Sequence, residues 1–127
     1  MIKLNLSEHA EQVNLVLWLE RNQITFFACP NGGRRDMRTA ITLRREGVRA
    51  GAPDLVLVHT APLNGRPVMI ELKRKKGAKY SPEQLALHTV ARVEGWNVIA
   101  PPSGESAQWV IEELKRLGYG KQSELTA

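Results

Sequence analysis

Apolar residues recur along this chain at two different spacings, and the change of spacing divides it into eight elements. From about Leu6 to Asn22 the period is helical. On a 3.6-residue wheel Glu8, Gln12, Leu15 and Leu19 share one stripe with Val16 beside it, while Glu11, Asn14, Glu20 and Arg21 lie elsewhere. Asn5 or Ser7 is the cap; with Asn5, Glu8 stands at N3 and closes a capping box. Glu8 and Gln12 therefore project from the half of the helix that faces the protein. Capping accounts for Glu8, but not for a second polar side chain one turn later.

A strand from Ile24 to Cys29 ends at the turn Pro30-Asn31-Gly32-Gly33. A second helix, near Asp36 to Glu46, places Met37, Ala40 and Ile41 on its inner stripe, and Gly47 stops it. Asp54 to Val58 and Pro67 to Lys73 alternate as adjacent central strands, joined by a loop with Pro62, Asn64 and Gly65. Ser81-Pro82-Glu83-Gln84 opens a third helix, with serine as N-cap, proline at N1 and glutamine at N3, and Gly95 follows its end. Asn97 to Ala100 is a short strand. A last helix near Glu105 to Leu117 aligns Val110, Ile111, Leu114 and Leu117. The order α-β-α-β-β-α-β-α predicts an α/β fold, a central mixed sheet with helices packed on it. One domain is expected over residues 1–118, with residues 119–127 as a loose, flexible tail.

The chemistry concentrates where Gly51-Ala52-Pro53-Asp54 meets Ile70-Glu71-Leu72-Lys73. Alternation puts Glu71 and Lys73 on one face of their strand and Val68, Ile70 and Leu72 on the other. A carboxylate and an ammonium in an apolar strand are costly to bury without a task. With Asp54 opening the neighbouring strand, they suit a hard divalent cation and a water, the chemistry of phosphodiester cleavage. Mg²⁺ needs only one or two carboxylates besides water and substrate phosphate. The backbone carbonyl of Leu72 is a further candidate ligand. Asp54 also reads as an ordinary turn residue after Pro53, and Lys73 as a salt-bridge partner of Glu71 or a phosphate contact. In the catalytic reading Lys73 orients or activates the attacking water, or stabilises phosphate charge. Gln84 has two equal readings: half of a capping box, or a side chain facing the acidic cluster.

Charge supports an anionic partner. The 127 residues carry 18 Lys and Arg against 13 Asp and Glu, a formal net charge of +5. Arg34, Arg35, Arg38, Arg44, Arg45 and Arg49 crowd one segment, and Lys73, Arg74, Lys75, Lys76 and Lys79 another. Two basic runs flanking carboxylates point to phosphate binding. Cys29 is the only cysteine, which excludes an internal disulfide, and its apolar run makes it a small core residue. His9, His59 and His88 lack zinc spacing, and His88, one turn beyond Gln84, is expected at the surface. No Walker A loop is present, so no nucleotide cofactor is implied. Trp18, Trp96 and Trp109 read as core or interface anchors. No apolar stretch reaches the length of a signal peptide or membrane span, and a cytoplasmic location is the default expectation.

Taken together, these words in this order resemble a PD-(D/E)XK nuclease of the VRR-NUC branch. The resemblance runs from about Ser7 to Pro101 through Ser7-Glu8 with Gln12, Asn31-Gly32-Gly33, Gly47 to Asp54, Ile70 to Lys73, and Ser81 to Gln84. It implies a restriction-endonuclease-like core, metal-site acids at Glu8, Asp54 and Glu71, the family lysine at Lys73, and glutamines at Gln12 and Gln84. It further implies a Mg²⁺-dependent or Mn²⁺-dependent DNA nuclease; several relatives act on branched or flapped DNA. Short stand-alone members are similar to phage proteins, which would place this one in a bacterial host, and some are dimeric. The expectation is thus a metal-dependent DNA endonuclease, working as a homodimer, with Arg34 to Arg49, Lys75 and Lys76 along the phosphates. The competing readings are a non-catalytic nucleic-acid-binding module and an exonuclease acting at ends.

Overall fold

The computed structural model describes residues 7–29, 36–72, 79–102 and 106–120. Asn5, Arg34, Arg35, Lys73, Lys75 and Lys76 lie outside these residues, as do residues 121–127. In chain order the elements are α1 (Glu8–Arg21), β1 (Phe26–Ala28), α2 (Met37–Arg45), β2 (Leu55–Leu57), β3 (Val68–Ile70), α3 (Pro82–Val93), β4 (Asn97–Ile99) and α4 (Ala107–Arg116). All eight expected elements form, and the strands are shorter than the alternation suggests. Ser7 caps α1, its hydroxyl accepting from Ala10 N–H at 3.1 Å, so Glu8 is at the first helical position rather than at N3.

The sheet has the order β1-β2-β3-β4. β1 and β2 are antiparallel, as are β2 and β3, with Leu55 opposite Ile70 and Leu57 opposite Val68. β3 and β4 are parallel, Val68 beside Asn97 and Ile70 beside Ile99. A parallel neighbour requires a crossover, and α3 supplies it. Leu55, Leu57, Val68, Ile70, Leu72 and Ile99 pack with Leu15 and Leu19 of α1 and Val110, Ile111 and Leu114 of α4 in one buried cluster. Because side chains alternate, Asp54, Met69 and Glu71 are turned away from it. The two central strands thus deliver their carboxylates to the opposite side, where α3 lies.

Two expectations change. The α2 stripe is not buried: Met37 is 78% exposed and Ile41 48%, and no residue of this helix is buried. Ala40 of this stripe lines a cleft, together with Leu43, while Met37 and Ile41 stand outside its lining. Residues 118–120 are not part of a loose tail, because Tyr119 is buried and its hydroxyl donates to the carbonyl of His59 at 2.6 Å. Nor does α4 cap itself. Ser106 makes no side-chain cap bond, and Glu11 of α1 accepts from Ala107 N–H at 3.2 Å. A carboxylate at a helix N-terminus is favourable both as acceptor and against the helix dipole.

Replacing Glu11 by Ala should therefore cost about 1 kcal/mol of stability. Urea unfolding followed by tryptophan fluorescence checks this; an unchanged midpoint would show that the bond contributes nothing.

Candidate active site

The ends of β2 and β3 are tied by a side chain. Asp54 accepts from Leu72 N–H through Oδ2 at 2.7 Å, while its own N–H donates to the Ile70 carbonyl at 2.9 Å. Its carbonyl accepts from Cys29 N–H at 3.0 Å, so its two backbone groups turn to opposite neighbours. In a regular strand both would point the same way. The chain bends at Asp54, and the bend aims its carboxylate across β3 beside Glu71. Glu71 is anchored in turn, donating its N–H to Ile99 of β4 at 2.9 Å. Leu72, a candidate ligand through its carbonyl, fixes Asp54 through its amide, and its side chain is in the core.

Glu71 is only 3% exposed, and His88 Nε2 stands 3.3 Å from its Oε1. This places His88, 1% exposed, behind the acid rather than at the surface where its sequence neighbourhood put it. Burial first, and then the charge of Arg92, push its imidazole below the usual value. Glu71 is 17 positions from His88, so no local spacing announces the pair.

These acids open into a cleft of about 950 Å³ lined by Glu8, Gln12, Cys29, Arg44, Arg49, Asp54, Glu71 and Gln84 among others. Glu8 and Gln12 reach it from the inner half of α1, as the wheel requires. Gln84 does both things open to it: the capping box with Ser81 is complete, and the side chain lines the cleft. Its Oε1 accepts from Ser81 N–H at 2.7 Å, which leaves the amide NH₂ as its free chemistry. Gly51 seats the Asp54 loop on this same turn, with φ +86° and no room for a side chain: a Cβ would stand 2.5 Å from the Glu83 carbonyl carbon. Of the α2 arginines, Arg44 lines the cleft, whereas Arg38 and Arg45 are exposed on the helix away from its lining. Arg49 also lines it, and its guanidinium donates to the Arg44 carbonyl at 2.9 Å.

Cys29 is a wall residue of this cleft, not a core residue. Its thiol is pushed up by burial, then by Asp54 and by Glu71. Tyr80 is pushed above the usual phenol range by burial and then by Glu71, Asp54 and Glu8. Two neutral groups thus register the same acids, which concentrate negative potential at one end of the sheet. Among the described residues no three His, Cys, Asp or Glu side chains close into a metal cage. The donor set is hard oxygen from two neighbouring carboxylates, with a protonated thiol beside it. That fits Mg²⁺ or Mn²⁺ completed by water and phosphate, and does not fit a soft thiolate site.

No family model and no curated protein matches the chain. Solved structures do. One described as "VRR_NUC domain protein" superposes with a TM-score of 0.69 at 22% identity, covering 93% of this chain and 94% of that one. Another, described as "VRR_NUC domain", gives 0.53 at 23% identity over 87% and 91%. At these identities the shared property is the fold: a small α/β fold, like that of the VRR_NUC domains.

The charge on Asp54 is directly testable through Cys29. At pH 8 the thiol should react with a disulfide reagent more slowly than in the unfolded chain, and Asp54→Asn should speed it by removing one charge that disfavours thiolate. Equal labelling rates in the two folded proteins would separate Cys29 from Asp54.

Proposed function

We propose that this chain is a metal-dependent DNA endonuclease that hydrolyses phosphodiester bonds. The observation that carries the reading is the pair Asp54 and Glu71, delivered by the two central strands into one cleft that Arg44 and Arg49 also line. Acids beside a phosphate site repel the substrate unless a cation intervenes, so the combination has a use only with metal. The fold shared with VRR_NUC domains supports it.

In this reading Asp54 and Glu71 hold Mg²⁺ or Mn²⁺, with Glu8 completing the site from α1 and the Leu72 carbonyl as a further ligand. When bound, the cation polarises phosphate and lowers the pKa of water. Asp54 is kept in place by the Leu72 amide, a neutral donor that leaves its charge intact. Lys73, next along the chain, orients the attacking water and offsets charge gathering on phosphate. Gln84 donates its amide into the cleft. Arg44 and the rest of the basic segment, including Arg34, Arg35, Arg38 and Arg45, hold the DNA backbone, joined by Lys75 and Lys76. We further propose a homodimer acting on branched or flapped DNA, two copies of the cleft serving two strands. Among the described residues no helix is long and apolar enough to cross a membrane.

Covalently closed plasmid incubated with Mg²⁺, Mn²⁺ or EDTA tests the reading. Nicking should need metal, and Asp54→Asn, Glu71→Gln and Lys73→Met should each lower it by about two orders of magnitude or more without loss of fold. Cutting of linear but not closed circles would make it an exonuclease. Metal-independent DNA retention without cleavage would make it a binding module.

A further inference from the structure

His88 is a buried titratable group for which the phosphodiester reading has no use. It sits on the inward face of α3, one turn after Gln84, so a single helix sends one side chain into the cleft and another behind the acid that lines it. We propose that His88 is a positioning residue: its Nε2–H, donated to Glu71 Oε1, sets the carboxylate that holds the cation. The proposal rests on the assignment of Glu71 to metal.

Three observations support it. A carboxylate that holds a cation is ionised and only accepts, so with Glu71 in that role the 3.3 Å contact puts the hydrogen on Nε2. The contact is slightly longer than an ordinary N–H···O bond, and orients the group rather than neutralising it. Next, the ring is itself held. Tyr80 meets it edge to face, with centroids 5.6 Å apart and planes at 72°, and the Tyr80 hydroxyl donates to the Pro101 carbonyl at 2.5 Å. The imidazole therefore has a fixed tilt, set from the segment following β4. Last, both partners are buried, His88 1% and Glu71 3% exposed, so the contact is sheltered from bulk water.

The test is Mn²⁺ binding to the whole chain, read from the electron paramagnetic resonance of free Mn²⁺, alongside thermal melting. The variants are His88→Gln, His88→Asn, His88→Leu and Glu71→Gln. Gln carries its amide nitrogen to where Nε2 stands, whereas Asn stops at the position of Nδ1. His88→Leu and His88→Asn should weaken Mn²⁺ binding about tenfold, and His88→Gln should restore most of it. Nicking by His88→Asn should recover at saturating Mn²⁺, because the defect is in holding metal. If His88→Leu does not fold, the Gln and Asn pair decides. Folded Asn and Leu variants with wild-type affinity, or a Gln variant as weak as Asn, would overturn the proposal while leaving Glu71 as a ligand. Wild-type protein that binds no Mn²⁺, or Glu71→Gln that binds it normally, would remove the underlying assignment and this inference with it.

Discussion

Two carboxylates at the ends of adjacent strands repel each other, and the cleft end of this protein is arranged around that constraint. At the interstrand spacing of about 5 Å, two full negative charges repel by roughly 3 kcal/mol with an effective dielectric of about 20. That is a sizeable fraction of a small domain's net stability. Leu72 N–H donates to Asp54, and His88 Nε2 stands 3.3 Å from Glu71 Oε1. The backbone amide brings no formal charge, so it fixes Asp54 without cancelling its charge.

The same constraint explains why α3 matters more than its length suggests. Its N-terminus is stopped by a full capping box and by Gly51, whose missing side chain lets the Asp54 loop rest on Glu83 and Gln84. Four residues on, it closes over Glu71. A shift of this helix would therefore move both acids and the glutamine together. α1 and α4 have the opposite assignment. They cover the apolar face of the sheet, and Glu11 welds one to the N-terminus of the other. Core and chemistry thus occupy separate faces of the same strands.

Much of this was legible in the amino-acid order because it depends on short periods. Alternation from Val68 to Leu72 separates Glu71 from the core, and the Ser81 to Gln84 signature starts a helix on any reading. The wheel that puts Glu8 and Gln12 on the inner half of α1 works because Leu15 and Leu19 bury fully beside them. What escaped depends on contacts far apart in sequence. His88 looks like a surface histidine until Glu71 is placed behind it, and Glu11 looks solvated until Ala107 arrives, 96 positions later. Cys29 has an apolar run that suggests the core, but it follows the end of β1, where the cleft begins. α2 shows the converse error. Its amphipathic pattern is real, yet amphipathicity says only that one face is apolar and not that the sheet receives it. Lys73 lies outside the described residues, and its part in the site rests on its place beside Glu71 in the chain.

The central claim is that Asp54 and Glu71 jointly seat a divalent cation. Crystals soaked in Mn²⁺ and measured near the manganese absorption edge test it most directly. An anomalous difference peak is expected between the two carboxylates, about 2 Å from an oxygen of each. Manganese found elsewhere on the molecule, with no peak at that position at saturating metal, would contradict it.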